Sequence, residues 1–346
     1  MKKLKILGAI LEKHNSPLKF KNLDVPKLNH GQLLIKMAYT GVCKSQLMEI
    51  TGGRNNKIFI PHLLGHEGSG TVIDRHKSVT KLKLGDEVIC SWLGTRGAKS
   101  DKIVYYDVNR KINAGPITTF STYSIISEKK VLKKPSSLTL KEACLFGCCL
   151  PTGLGGAIKE KKINSNHLVL IIGLGGVGLC TLIGLLDKKI KNIIVIDTNS
   201  KKLKIAQELG IAKTYRFISK KKLLNDLAND NIHKFDYCFE SAGLTKTIEL
   251  GFELLKDKGR LIFSSHPHQK DFIRIKPHDL IKGKSIHGTW GGDIILEKDI
   301  RLLLKIYKRN KLKFKYFFEN IYKFKDINKA INDLKNNKVN RSIIRF

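Results

Sequence analysis

Two rhythms of apolar residues divide the chain. Over about the first 150 residues, short apolar runs at 4–11, 32–39, 70–74 and 87–90 are parted by polar or Gly/Pro segments, which predicts β-strands. Asp24-Val25-Pro26 followed by Gly31 marks a turn before the run at 32–39. Between 91 and 118 the pattern is irregular, with Gly94, Gly97 and Gly115 among scattered charges, and predicts a surface lobe or long loop. From about Pro151 the rhythm changes. A strand at 168–172 leads to a helix from near Gly176, and a strand at 193–196 leads to an amphipathic helix at 201–209. Strands at 235–239 and 260–264 flank a helix at 245–255. This alternation predicts a parallel sheet covered on both faces. Beyond about Gly288 it breaks, leaving a helix at 298–307, a strand near 318–322, a helix at 325–334 and a last strand at 342–346 that returns to the first domain. The pattern contains no internal repeat and no low-complexity linker.

Composition narrows the picture. A chain of 346 residues with 42% hydrophobic content suits two domains and a sizeable interior. There are 64 basic residues against 30 acidic ones, a formal charge of +34. Such a field can draw nucleic acid, an anionic membrane or a phosphorylated substrate. Yet only 11 of the basic residues are Arg, and the Lys are spread over the whole length with no arm or helix concentrating them. Abundant Lys, Ile and Asn fit an AT-rich coding bias better than nucleic-acid binding, so the charge by itself says little about partners. Seven unevenly spaced cysteines make no disulfide framework and point to a reducing cytoplasm. The start Met1-Lys2-Lys3-Leu4-Lys5 is basic, but the apolar run at 6–11 is short, lacks a cleavage site and reads as a strand. The uncharged run at 168–186 is long enough to cross a bilayer, but five glycines interrupt it. A strand, a glycine turn and a helix explain it better, so no membrane partner is expected.

That turn is Gly173-Leu174-Gly175-Gly176-Val177-Gly178, a GxGxxG element with a strand before it and a helix after. An acidic residue, Asp197, ends the next strand. In such an element Gly173 permits the tight turn, Gly175 lets the backbone approach a pyrophosphate, and Gly178 lets helix and strand pack closely. The diphosphate rests at the helix N-terminus, where unpaired N–H groups and the helix dipole favour negative charge. Asp197 accepts hydrogen bonds from the adenosine ribose and repels a 2′-phosphate, which favours NAD over NADP.

Three further segments carry metal-ligating residue types: Gly41-Val42-Cys43-Lys44-Ser45, Gly65-His66-Glu67-Gly68 and Phe146-Gly147-Cys148-Cys149 with Thr152-Gly153. Singly, a Cys reads as a small buried hydrophobe and a His as a hydrogen-bonded core residue; their wide spacing spells no zinc finger. In this order, and followed by the glycine element and Asp197, they resemble the zinc-dependent medium-chain alcohol dehydrogenases over nearly the whole chain. The resemblance implies a fold of the α/β class. A β-rich, GroES-like catalytic domain would span 1–150 and 288–346, and a doubly wound parallel-sheet Rossmann domain 151–287. It implies that Cys43, His66 and Cys148 ligate one catalytic zinc, leaving a fourth position open, and that Glu67 is the carboxylate able to approach the metal during ligand exchange. Cys149 reads as packing. Ser45 matches a hydroxyl that takes the alcohol proton toward solvent, or it is a helix cap. Lys44 and Arg341 resemble contacts to the cofactor diphosphate, Thr152 a residue beside the nicotinamide, and Lys202 one beside the adenosine ribose. The glycine element at Gly173, Gly175, Gly176, Val177 and Gly178 holds NAD. The activity implied is hydride transfer between an alcohol and its aldehyde or ketone, in a homo-oligomer, dimer or tetramer.

Three departures from the family stand out. Relatives often hold a structural zinc on four close cysteines in the lobe after the strand at 87–90, whereas 91–118 has no Cys; one zinc per chain is expected. Gln46 stands where relatives usually carry an Asp bonded to the ligating histidine. An amide orients the ring but adds no negative charge, so the metal is expected to be held less tightly or to be more electrophilic. Met48 replaces a His that ends the proton relay in some relatives, which leaves the last proton step to water or another group. Trp92 and Phe120 resemble walls of the alcohol pocket and fit core packing equally. His266 is a substrate or relay residue near the nicotinamide, or an exposed loop histidine. Two other functions compete: a zinc-free medium-chain reductase of activated double bonds, and a basic nucleic-acid-binding protein on a dehydrogenase scaffold.

Overall fold

In the computed structural model, which describes residues 4–54, 57–100 and 102–346, the chain forms two units. Met1, Lys2 and Lys3 of the basic start, and Asp101 of the irregular stretch, lie outside the described residues. One unit comprises Met1–Cys149, Ile295–Ile300 and Phe318–Phe346; the other comprises Leu150–Ile294 and Arg301–Phe317.

Alternation of inward and outward side chains builds the first unit. Strand Lys5–Leu11 pairs antiparallel with Lys19–Asp24 and with His62–Leu63, and these close a barrel with Ile103–Asp107 and Arg110–Ala114. The last two strands form a hairpin inside the stretch expected to be a lobe or long loop. Ile103, Tyr105 and Ile112 face the core, while Tyr106, Arg110 and Lys111 face outward. A second sheet runs in the order Val131–Lys133, Glu87–Ser91, Glu67–Arg75, Gln32–Val42, Ser342–Arg345 and Ile321–Lys323. Tyr123–Ser127 also pairs with Gln32–Val42. The strand expected near 318–322 therefore begins later, after a 3₁₀ run at Lys311–Phe317. The expected return of the final strand is real: Ser342 pairs with Val42, the residue before Cys43.

The second unit is one six-stranded parallel sheet ordered Lys213–Arg216, Ile193–Asp197, Val169–Ile172, Phe235–Glu240, Leu255–Phe263 and Ser285–Gly288. Its central strands are apolar on both faces because helices cover both, and Val169–Ile172 is buried throughout. The direction of winding reverses between Val169–Ile172 and Phe235–Glu240, which opens a crevice beyond their carboxyl ends, where doubly wound folds bind nucleotides. The apolar run at 168–186 resolves into strand, turn and the helix Gly176–Asp187. Among the described residues no helix is long and apolar enough to cross a membrane.

Candidate metal centre and cofactor site

Three chain reversals in the first unit carry the metal-ligating types. Strand Gln32–Val42 ends at Cys43, the N-cap of helix Lys44–Thr51. The cap is held by Gln46, whose Oε1 accepts from the Cys43 N–H at 2.8 Å. His66 lies in the turn before strand Glu67–Arg75. Cys148 lies between helix Leu140–Leu145, closed at its start by a Thr139/Glu142 capping box, and helix Cys149–Lys159. Gly147 is needed there: an added Cβ would lie 2.5 Å from the Cys90 carbonyl oxygen and 2.8 Å from Glu67 Cβ.

These reversals bring the ligand atoms of Cys43, His66 and Cys148 within 4.8 Å of one another, and His66 Nε2 is 3.3 Å from Cys148 Sγ. A tetrahedral zinc with bonds of about 2.0–2.3 Å sets its donors roughly 3.4–3.8 Å apart, so two thiolates and an imidazole at this spacing fit the ion. The Cys148 thiol foremost, then His66 and the Arg341 charge, hold the Cys43 thiol well below its ordinary pKa against the opposing effect of burial. Thiolate character is what a zinc ligand needs. Among the described residues this is the one grouping of three such side chains.

The surroundings are equally specific. Gln46 Nε2 meets His66 Nδ1, and Ser45 Oγ lies 3.4 Å from the same nitrogen. Trp92 stands edge-on to His66, with ring centroids 6.4 Å apart, and its carbonyl accepts from Lys130 Nζ at 2.5 Å. Lys130 was not legible as a site residue, since nothing in the sequence marks a lysine as the clamp on a distant carbonyl. Glu67 is 0% exposed and faces Arg341, itself 4% exposed, in a buried ion pair. Arg341, singled out for the diphosphate, therefore has its charge turned to Glu67. Phe120 is fully buried in the cluster with Val42, Leu64 and Ile344, beneath Gly65. That burial fits core packing. Lys44 is exposed at the first turn of its helix.

In the second unit the glycine turn has the geometry its sequence asks for. Gly173 has φ +87°, a conformation only glycine adopts without strain, and a Cβ at Gly178 would strike the Gly173 carbonyl. Beside Gly175 a Cβ would meet nothing within 4 Å, so space remains for a ligand at the start of helix Gly176–Asp187. Gly176 and Val177 form its half-buried first turn. Asp197 closes its strand with the carboxylate inward: Oδ2 accepts from the Leu174 N–H at 2.7 Å and Oδ1 from the Asn199 N–H at 2.9 Å. The turn and the acidic residue fit a dinucleotide. Thr152 and Lys202 are buried on their helices, and exposed His266 stacks edge-on to Trp290 at 5.5 Å. Glu240 is a further site residue, and its only mark in the sequence is the one it shares with Asp197, an acidic end to an apolar strand. It is buried and accepts from Ala242 N–H, Gly243 N–H and Thr247 Oγ1 at 2.7–2.9 Å, pinning the loop at the crevice.

Family models settle the lineage. Residues 29–136 match the alcohol dehydrogenase GroES-like domain and residues 176–309 the zinc-binding dehydrogenase domain. The chain belongs to the zinc-dependent medium-chain alcohol dehydrogenases. An S-(hydroxymethyl)glutathione dehydrogenase of Synechocystis sp. is 25% identical over 370 residues, covering 99% of this chain and 100% of that protein. The protein so named in Saccharomyces cerevisiae is 27% identical over 381 residues, covering 99% and 97%. The crystal structure of benzyl alcohol dehydrogenase from Acinetobacter calcoaceticus superposes with a TM-score of 0.86 at 22% identity, covering 99% of each chain. This dehydrogenase thus shares the fold of solved medium-chain enzymes along its full described length.

Proposed function

We propose that this NAD-dependent zinc alcohol dehydrogenase oxidises a small alcohol to its aldehyde or ketone, or runs in reverse, with Cys43, His66 and Cys148 as the ligands of a single catalytic zinc. One observation carries the proposal: three ligand atoms from segments far apart in sequence converge within 4.8 Å. A bound zinc supplies Lewis acidity toward an alcohol or carbonyl oxygen, and bound NAD supplies the hydride acceptor. The chain's own groups do the rest. Ser45 Oγ takes the alcohol proton. Met48, whose thioether carries no proton to relay, lines a cavity of about 340 Å³ with Leu18, Leu47 and Ile331, which leaves the last proton step to water or another group. Glu67, paired with Arg341, is the carboxylate that would approach the metal. Trp92 walls the substrate side of His66, and its carbonyl is fixed by Lys130. Gly173, Gly175, Gly176, Val177 and Gly178 would receive the diphosphate at the start of helix Gly176–Asp187, whereas Arg341 has its charge committed to Glu67. Asp197 and Lys202 would receive the adenosine ribose, Thr152 the nicotinamide, and His266 a polar part of the substrate.

The names of the relatives suggest a substrate range running from aromatic alcohols to thiol adducts. Seven free cysteines support a reducing, cytoplasmic setting. The sheet edge Ser285–Gly288, with Ile281 exposed nearby, supports a homo-oligomer. A substrate screen following NADH absorbance, with metal quantification on the same sample, tests the activity. Cys43→Ala is expected to lose at least about a thousandfold in kcat/KM (~4 kcal/mol) while NAD binding is retained. Normal turnover without zinc would instead favour the zinc-free reductase.

A further inference from the structure

We infer that Gln46 is a positioning residue that sets the tautomer of His66 against metal binding and thereby makes the zinc exchangeable. The inference rests on the metal site proposed above. Two nitrogens, the Cys43 amide and His66 Nδ1, converge on a side chain that has one acceptor. The Cys43 N–H takes Gln46 Oε1 at 2.8 Å, which leaves Gln46 Nε2 facing His66 Nδ1. An amide nitrogen only donates, so Nδ1 must accept and the ring proton sits on Nε2. Nε2 is also the nitrogen that faces Cys148 Sγ at 3.3 Å, the one a metal shared with the two thiolates would take. A ring ligating through Nε2 carries its proton on Nδ1. That proton would meet the amide NH₂, donor against donor. Turning the carboxamide over relieves this contact and creates the same conflict at the Cys43 N–H.

Among the described residues no neighbour resolves it. Ser45 Oγ, the other oxygen beside Nδ1, is 3.4 Å away, long for a bond to a ring nitrogen. Glu49, a turn further along the same helix, pairs with Arg54 at 3.2 Å. Gln46 itself is 0% exposed, so its amide exchanges neither contact for water. A carboxylate of the same length offers both acceptors at once, one oxygen for Cys43 and one for His66. The amide therefore costs metal affinity for a reason beyond its lack of charge: the hydrogen bonds around a ligated His66 cannot all be made.

Gln46→Glu keeps the shape and restores the acceptor count. Zinc affinity is measured by competition with a chromophoric chelator, and His66 protonation by imidazole ¹H–¹⁵N correlation spectra of chelator-treated protein. The variant is expected to bind zinc about ten- to a hundredfold more tightly. The His66 proton is expected to move from Nε2 in the wild type to Nδ1 in the variant, a change that added charge alone does not require. Equal zinc affinity in the two proteins overturns the inference and leaves the metal site standing. Failure of both to bind zinc overturns the metal site as well. Should the variant not fold, the wild-type spectrum decides: a proton on Nε2 supports the inference and one on Nδ1 overturns it.

Discussion

Asp197 carries two loads that compete for the same carboxylate. Its oxygens hold the Leu174 and Asn199 N–H groups, so the side chain fixes the glycine turn as well as offering negative charge to a ribose. Asp197→Ser should lower the preference for NAD over NADP by roughly tenfold, or ~1.4 kcal/mol. It should also weaken NAD binding itself, because the turn loses an anchor. The ratio of dissociation constants for the two cofactors reports the first effect and the NAD value alone the second; an unchanged ratio would move the discrimination to another residue. The acidic end of the strand was legible, but its grip on the turn was not, because hydrogen bonds to backbone leave no mark on residue type. Cys43, His66 and Cys148 likewise became a set only through family resemblance. His66 and Cys148 lie 82 positions apart, and no local spacing rule reaches that far.

Among elements, those buried on both faces were the easiest to read. Val169–Ile172 and Ile193–Asp197 are apolar at nearly every position because helices cover them above and below. Edge elements were harder. Lys213–Arg216 sits at the rim of the sheet and the Ile103–Asp107/Arg110–Ala114 hairpin faces water on one side, so charges break their apolar signal. The turn between helices Leu140–Leu145 and Cys149–Lys159 shows how an element sets a ligand. Gly147→Ala would drive a methyl group into the Cys90 carbonyl and Glu67 and displace Cys148 with the turn. The expected outcome is at least a tenfold loss of zinc affinity and about 1–3 kcal/mol of stability, read by chelator competition and urea unfolding. A fully loaded, equally stable variant would mean that the turn gives way without moving its sulfur.

For the molecule as a whole, the excess of 34 positive charges is the dominant electrostatic fact. Acidic partners are used where they exist, as in Arg309 with Asp187 at 2.6 Å and Lys220 with Glu253 at 2.6 Å, but most basic side chains have no acidic residue left to pair with. Like-charge repulsion therefore opposes folding. Raising NaCl from about 20 to about 200 mM, which shortens the screening length to under ~10 Å, should lift the thermal midpoint by on the order of a few degrees. A flat or falling midpoint would show that the repulsion is already relieved. Chain order adds a constraint of its own. The strand Ser342–Arg345 lies against Gln32–Val42, with Ile343 and Ser342 beside the last two residues before Cys43. During synthesis on a ribosome, Gln32–Val42 can pair early with Glu67–Arg75 and Tyr123–Ser127, but its Ser342–Arg345 partner is translated some 300 codons later. The nucleotide-binding sheet, whose strands all emerge sooner, is complete before the strand beside Cys43 has its last partner.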